Sequence, residues 1–435
     1  MKKLYLATLV SALSVSAFAA PAPADLSSDT TVSTKGGFEI KNDLFSAKIG
    51  ARIHFDGRYL NKEDDLPAAS QATNSSTSFR RARLSLTGKA YGWEYEFEND
   101  FAGQGDSVNC GSQTITVPEP TGTNNSVTVT KPSQVCTGNA GRGFRDMWIG
   151  NTFMGHQVRF GQMKPYRALD EMNSSNAIVF MERPFLSGSG LYNGRQRQQG
   201  VFIDNAGKAG DMAYGYGVSA YNIRGPQDNS TQGMGYNARG YFTPINASGQ
   251  VLHVGASTSI ERNPLNGAGS PTNSIATRAT VIRDVLNAPI SDNGISQDSY
   301  ALELGYTNGP FSAQAEYATA ETGFAGTRKA ETVDTGYVQA TFFLTDHTRR
   351  YDAKIGRFGN PSVIAGAGAI ELKARYDMME NTDTNAKAVQ ATVGANYYIN
   401  PNTRVMFEYV DGTATSTAGV DVDASAIQTR LQFAF

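Results

Sequence analysis

Charged side chains occupy alternate positions in three early segments, and the arginines among them could bind an oxyanion. An arginine guanidinium stays charged at any working pH, and its planar fork forms two parallel hydrogen bonds with a carboxylate or phosphate. The rows consist of Lys48, Arg52, His54, Asp56 and Arg58, of Arg81, Arg83 and Lys89, and of Glu94, Glu96, Glu98 and Asp100. A period of two places each row on one face of a β-strand.

These strands fit a barrel in a membrane. Apolar residues such as Phe45, Ile49 and Ile53 occupy the positions between the charges. A soluble β-protein alternates in the same way, but the strands here are about ten residues or longer, as a tilted strand needs to be to cross a bilayer. The charged rows suit a water-filled interior, and aromatic residues at the strand ends suit the membrane interfaces.

The pattern recurs sixteen times, an even number, as a closed antiparallel barrel requires. The predicted strands are 45–59, 80–90, 93–102, 143–152, 156–163, 197–205, 212–223, 234–243, 250–260, 299–307, 310–320, 333–345, 368–377, 387–399, 403–412 and 425–435. Tight turns alternate with long segments at 61–78, 103–142, 164–196, 261–298 and 346–367. This alternation predicts short periplasmic turns and long outer loops.

Both ends of the sequence carry signals of export to an outer membrane. An apolar run at 4–15 follows a positively charged start and precedes Ala-Phe-Ala at 17–19, which predicts a signal peptide over 1–19. The last strand alternates hydrophobic residues and ends in Phe435, which is typical of barrel assembly signals. We therefore expect a Gram-negative type of envelope, a periplasmic segment at 20–44 and an all-β, 16-stranded transmembrane barrel over 45–435.

The composition argues against other classes of protein. The chain has 38 Lys and Arg against 40 Asp and Glu, without the basic footprint of a nucleic-acid partner. No later segment has about 18 consecutive apolar residues, which excludes helical membrane spans. The cysteines, Cys110 and Cys136, share one Ser/Thr/Gly-rich stretch and predict a loop disulfide. A metal or redox pair would need partners or a CxxC spacing that this stretch lacks.

No catalytic motif is evident. The histidines are dispersed, and the chain has neither HExxH nor GxSxG, so we expect no enzyme and no cofactor, although histidines could still converge in space. A structural or adhesive barrel with a blocked lumen is a second alternative, and measurable conductance would exclude it.

Several stretches resemble the phosphate-selective porin O/P family. They are TKGGFE at 34–39, FRRARL at 79–84, VRFG at 158–161, LDEMNSS at 169–175, MER at 181–183, YNARGYF at 236–242 and FSAQAEY at 311–317. The resemblance spans essentially the whole mature chain. It implies a trimeric, sixteen-stranded barrel in lipid, with a loop folded inward to narrow a channel for small anions such as phosphate or polyphosphate.

Residues 164–196 fit this inward loop. An empty sixteen-stranded barrel is wide, so a narrow lumen needs a constriction. The segment mixes apolar residues with the basic residues Lys164, Arg167, Arg183 and Arg195. Apolar residues in an outer loop are explained if the loop packs against the inner wall; a surface loop with scattered charges is the alternative.

The resemblance also implies roles for individual residues. Arg52, Arg80, Arg81 and Arg183 fall where phosphate-selective members carry lumen or constriction arginines. The strand phase agrees for Arg52 and Arg81. Two consecutive residues of a regular strand cannot both face inward, so we expect Arg80 at the channel mouth.

Two positions depart from the family pattern. Glu171 stands where phosphate-selective members carry a lysine, and Arg145 where they carry an aspartate, so a charge pair is reversed if both alignments hold. The segment 261–298 has only scattered arginines. General anion transport therefore leads over phosphate specificity, and a cation-preferring porin remains open. Each lumen arginine could instead merely neutralise the acidic row Glu94–Asp100.

Overall fold

The alternation in the sequence becomes a barrel with a polar interior and an apolar exterior. Along the strand Ala369–Asn381, buried and exposed residues alternate without interruption. Glu371, Lys373 and Arg375 point into the barrel, whereas Leu372 and Tyr376 are exposed on the outside. A soluble protein has the reverse arrangement, and lipid contact explains why the apolar side chains lie outside.

The computed structural model describes residues 30–435 with gaps at 34–36, 63–74, 103–107, 119–125, 139–142, 189–196, 225–230, 263–293, 325, 364–365, 367 and 416. For residues 108–118 and 126–138 it describes the backbone alone. The predicted signal peptide lies outside the described residues, as does Arg195.

The strands follow one another as β1 (Thr31–Ser33), β2 (Phe38–Lys41), β3 (Phe45–Lys62), β4 (Ser75–Ala90), β5 (Trp93–Asp100), β6 (Val108–Pro118), β7 (Ser126–Gly138), β8 (Phe144–Phe153), β9 (His156–Met163), β10 (Gln198–Ala209), β11 (Met212–Arg224), β12 (Thr231–Ala247), β13 (Gln250–Arg262), β14 (Gly294–Asn308), β15 (Phe311–Phe324), β16 (Glu331–Phe343), β17 (Arg349–Asp352), β18 (Arg357–Pro361), β19 (Ala369–Asn381), β20 (Lys387–Asn400), β21 (Thr403–Thr415) and β22 (Asp421–Ala434). Two short helices, α1 (Leu169–Met172) and α2 (Phe185–Gly188), lie between β9 and β10.

Sixteen of these strands form the barrel: β3–β5, β8–β16 and β19–β22 pair antiparallel in chain order, and β22 closes on β3. Every predicted strand is present, so the predicted fold is confirmed. Several strands extend further at their outer ends; the strand predicted at 80–90, for example, is Ser75–Ala90. The alternation ends in polar residues there, which hides the true boundary.

Tight turns close one end of the barrel. The turns Tyr91-Gly92 and Met154-Gly155 have positive φ at both residues, 50° and 83° in the first and 51° and 82° in the second. This backbone matches the twist of two paired strands, and glycine adopts it without strain. β2 adds to the barrel at this end by pairing with the start of β3.

One segment that was predicted to be an outer loop lies instead at the end of the barrel that the tight turns close. The segment 344–368 joins β16 to β19 and leaves the barrel at the end where the tight turns lie, because strands alternate in direction. It contains the hairpin β17–β18. The prediction that 346–367 is an outer loop is therefore wrong. We call residues 344–368 the turn-side insert.

The segment 103–142 contains a second hairpin. β6 pairs with β7, and the register places Cys110 opposite Cys136. The two side chains lie outside the described part of the chain, so the disulfide stays a prediction. In the part of the chain that the structure describes, no helix has the length and apolar character needed to span a bilayer.

Candidate channel constriction

The segment between β9 and β10 lies inside the barrel. We call residues 164–197 the constriction loop; residues 164–188 and 197 are described. Its apolar residues Phe180, Met181, Phe185 and Leu186 are almost completely buried. Packing of these residues inside the barrel confirms the inward loop, because they would be exposed to water on the barrel's outer end.

Carboxylates of the barrel wall hold the backbone of this loop. Glu316 accepts hydrogen bonds from the amides of Leu169 and Asp170, the latter at 2.9 Å. In the same way Glu408 accepts from the amide of Met181 at 2.7 Å. These acidic side chains of β15 and β21 thus position the loop.

Basic residues of the wall bind the loop's carbonyl groups. Arg404 donates to Ile178 O at 3.1 Å, and Arg375 donates to Glu182 O at 3.0 Å. Such arginines are structural, because their donors point at the loop backbone. An inward arginine is therefore not in itself a channel residue.

A β-bulge turns both Arg80 and Arg81 toward the interior. The register shifts so that His54 pairs with Arg81 and Phe55 with Phe79, leaving Arg80 as the extra residue. Arg80 forms a bidentate pair with Glu182 of the constriction loop, at 2.6 and 2.8 Å. The prediction that Arg80 lies at the mouth is wrong, because a bulge breaks the period of two on which it rested.

The turn-side insert meets the constriction loop from the other end. Arg239 donates to Ile355 O at 2.7 Å and to Gly356 O at 2.8 Å, which holds the insert against β12. Asn360 Nδ2 donates to Asn176 O of the loop at 2.9 Å. The lumen is therefore narrowed by two segments that enter from opposite ends.

A cavity of about 390 Å³ remains between these segments and the inner faces of the first barrel strands. Its basic lining residues are Arg52, Arg81, Arg83, Arg159, Lys164, Arg183, Arg197, Arg239, Lys354 and Arg357. Its acidic lining residues are Glu96, Glu98, Asp146 and Asp204. Basic side chains thus outnumber carboxylates by ten to four in the lining. Four of the arginines also pair with carboxylates behind it: Arg83 with Asp100, Arg183 with Asp170, Arg239 with Glu303 and Arg357 with Asp352.

The lining arginines differ in what neutralises them. Arg83 forms ion pairs with Glu98 at 2.9 Å and Asp100 at 2.8 Å. Arg52 forms an ion pair with Glu98 at 3.1 Å and donates to the Ser175 hydroxyl at 2.8 Å. Both arginines thus neutralise carboxylates of the acidic row Glu94–Asp100, which accounts for part of their role.

Arg81 has no such carboxylate partner among the described residues. Its Nη1 lies 3.3 Å from Nδ1 of His54, and its Nε has no hydrogen-bond partner in that part of the chain. The residue is 4% exposed and lines the cavity. Glu182 lies nearby, but its carboxylate is bound to Arg80 and Arg430. Arg81 thus combines a lining position with a charge that no ion pair offsets.

Two predicted loop residues, Arg183 and Lys164, also line the cavity. Arg183 pairs with Asp170 at 2.7 Å and donates to Asn173 O, also at 2.7 Å. Lys164 Nζ donates to Asn173 O at 3.0 Å. Burial, together with the neighbouring Arg183, holds the pKa of Lys164 well below its usual range. Both residues brace the loop, and Arg183 also places a positive charge in the cavity wall.

Four predicted site residues, including Arg80, are not among those that line the cavity. Arg167 points into the wall, where it pairs with Glu261 and donates to the Tyr221 hydroxyl at 2.6 Å. The Glu171 carboxylate is buried, and Lys164 Nζ lies 4.0 Å from it. Arg145 lies outside the lining, which instead contains the next residue, Asp146.

Several lining residues were not predicted. Strand phase could have found Arg159, because Val158 and Phe160 on either side are apolar. Arg239 was named only as part of a family match. Nothing in the sequence marked Lys354 and Arg357 as lining residues, because their segment was predicted to be an outer loop.

A sequence model of the family described as phosphate-selective porin O and P matches residues 47–435. The chain belongs to this family. Porin O of Pseudomonas aeruginosa is 27% identical over 98% of this chain and 97% of the relative. An uncharacterized protein of Caulobacter vibrioides is 26% identical over 52% of this chain and 47% of its own.

Solved outer-membrane proteins share the fold of this family member. OmpT of Vibrio cholerae, in a trimer form, has a TM-score of 0.51 at 12% identity over 90% of this chain and all (100%) of its own. The anion-selective porin from Comamonas acidovorans gives a TM-score of 0.50 at 12% identity, again over 90% and 100%. Family and fold together identify the chain as an outer-membrane anion porin.

Proposed function

We propose that the porin selects small oxyanions, including phosphate, at Arg81 and Arg52 on the wall of the constriction. The observation that carries this proposal is that Arg81 lines a cavity with ten basic and four acidic residues and has no carboxylate partner among the described residues. A buried guanidinium without a counterion favours an anion that can accept its hydrogen bonds. Arg52 supplies a second charge from the adjacent strand.

The preference for oxyanions over chloride is the testable part of this proposal. We expect phosphate added to a chloride solution to reduce the chloride current through single channels in a planar bilayer, because phosphate accepts two hydrogen bonds from one guanidinium and chloride cannot. Unchanged current up to molar phosphate would contradict an oxyanion site and leave a general anion porin.

The family is described as phosphate-selective, but two carboxylates near the constriction argue against strong binding of phosphate. The resemblance aligns Glu171 with a lysine of phosphate-selective members, and its carboxylate lies 4.0 Å from Lys164 Nζ. Asp146 adds a carboxylate to the cavity. These charges lower the field at the constriction, so we propose that block by phosphate is weaker than in a site without them.

Arg183→Ala is expected to weaken the anion preference more than Arg404→Ala. Arg183 lines the cavity, whereas Arg404 lies behind the constriction loop and donates to Ile178 O. Loss of one lining charge is expected to change the anion-to-cation permeability ratio about threefold, and loss of the distant one to change it little. Reversal potentials of the two variants in a salt gradient measure this ratio; equal shifts would contradict the assignment of Arg183 to the constriction.

The assembly and processing of the porin are also proposals. We propose a homotrimer embedded in outer-membrane lipid, supported by the family and by the trimer form of OmpT; chemical cross-linking in detergent should then yield a trimer and no larger species. We further propose removal of residues 1–19 on export, which the N-terminal sequence of the mature protein tests. We expect transport without catalysis.

A further inference from the structure

We infer that His54 couples proton binding to anion binding at Arg81, so that the channel binds anions more tightly at low pH. The inference deepens the proposed function and rests on it, because it assigns a regulator to the same anion site. His54 is a positioning residue here, since it acts through Arg81 and does not itself line the cavity.

The hydrogen bonds of His54 define its neutral form. Arg81 can only donate, so the contact of 3.3 Å between Arg81 Nη1 and Nδ1 makes Nδ1 the acceptor. The proton of the ring then lies on Nε2, which donates to Asn176 Oδ1 of the constriction loop at 3.1 Å. The imidazole is completely buried, at 0% exposure, and joins Arg81 to the loop.

Protonation of His54 would change this arrangement. A proton on Nδ1 removes the atom that accepts the hydrogen bond from Arg81. It also places a further N–H donor and a positive charge beside the guanidinium. Without an anion, the cations around the ring oppose this step. An anion at Arg81 offsets the added charge and can accept the hydrogen bond that Arg81 loses. Anion and proton therefore favour each other, and the coupling is reciprocal.

The charges around His54 support this coupling. Its own strand contributes Arg52 and Asp56, β4 contributes Arg81, and β22 contributes Arg430. Asp56 and the loop's Glu182 are both bound to Arg430 and so neutralise that arginine. Among the described residues of the loop, the one that hydrogen-bonds to the ring is the neutral Asn176. Among the described neighbours, Arg81 is thus the cation nearest to His54 that an arriving anion would neutralise.

The test uses sulfate, which stays divalent between pH 4.5 and 7.5, as the blocker of chloride current in planar bilayers. We expect the half-blocking sulfate concentration of the wild type to fall about tenfold from pH 7.5 to pH 4.5. His54→Asn keeps an oxygen to accept from Arg81 but binds no proton, so its change is expected to stay below about twofold. His156→Gln, on the outer face, controls for histidine loss and should keep the wild-type change.

The alternative outcomes separate the two proposals. Sulfate block without pH dependence in the wild type would overturn the coupling and leave the anion site intact. A full pH dependence in both His54→Asn and His54→Gln would also overturn it and would assign the effect to another group, such as Lys164 or a lining carboxylate. A cation-selective wild type that sulfate does not block would overturn the anion site itself. The glutamine variant also serves if the asparagine variant does not fold.

Discussion

Replacing Arg81 by glutamate is expected to abolish the anion preference of the channel and its block by phosphate. The change alters the charge of the cavity wall by two units, at the lining arginine for which the described residues offer no ion-pair partner. A unit charge about 5 Å away contributes roughly 3 kcal/mol at an effective dielectric constant near 20. The affinity for phosphate is therefore expected to fall by about 100-fold or more.

The measurement combines reversal potential with a phosphate titration of the chloride current. Arg328→Glu is the matched control, because it makes the same charge change at an exposed residue that pairs with Glu331 and does not line the cavity. We expect the control to behave nearly like the wild type. If both variants lost anion preference to the same degree, net charge and not the constriction would determine selectivity.

Replacing Arg430 by methionine is expected to lower the free energy of unfolding by about 3–5 kcal/mol. Arg430 binds both oxygens of Asp56, at 2.6 and 2.7 Å, and also pairs with Glu182 at 3.1 Å. The side chain is 1% exposed, so its loss leaves the buried Asp56 carboxylate without its main cation. It also removes the donor to Met181 O, which anchors the constriction loop. Single-channel conductance should rise as the loop loosens.

Unfolding by guanidinium chloride in detergent micelles measures this loss. Arg262→Met removes an ion pair to Asp298 that is half exposed, at 50% for the arginine side chain, and should cost about 0–1 kcal/mol. A similar loss in both variants would show that the buried network around Arg430 does not stabilise the barrel.

The barrel and part of the site could be predicted from the sequence because of the strict period of two. A shift by one residue moves every side chain of a strand to the other face, so the polar face of each strand is unambiguous. This logic placed Arg52 and Arg81 in the lumen. It also located all sixteen strands, since each carries its own apolar face toward lipid.

The remaining features depend on contacts between distant segments. The bulge at Arg80 is set by the pairing of β3 with β4 and by the attraction of Glu182, which lies 102 residues away in the sequence. Arg167 and Arg81 are alike as residue types, yet one pairs with Glu261 in the wall and the other contacts His54. The insert at 344–368 was misplaced because its length resembles that of an outer loop.

The most direct test of the account is the reversal potential of the wild-type porin in a planar bilayer under a KCl gradient. The excess of basic residues at the constriction predicts a reversal potential close to the equilibrium potential of chloride. Added phosphate should reduce the current. A reversal potential close to the equilibrium potential of potassium would contradict the anion site at Arg81. It would mean that the carboxylates of the cavity determine its ion selectivity, namely Glu96, Glu98, Asp146 and Asp204.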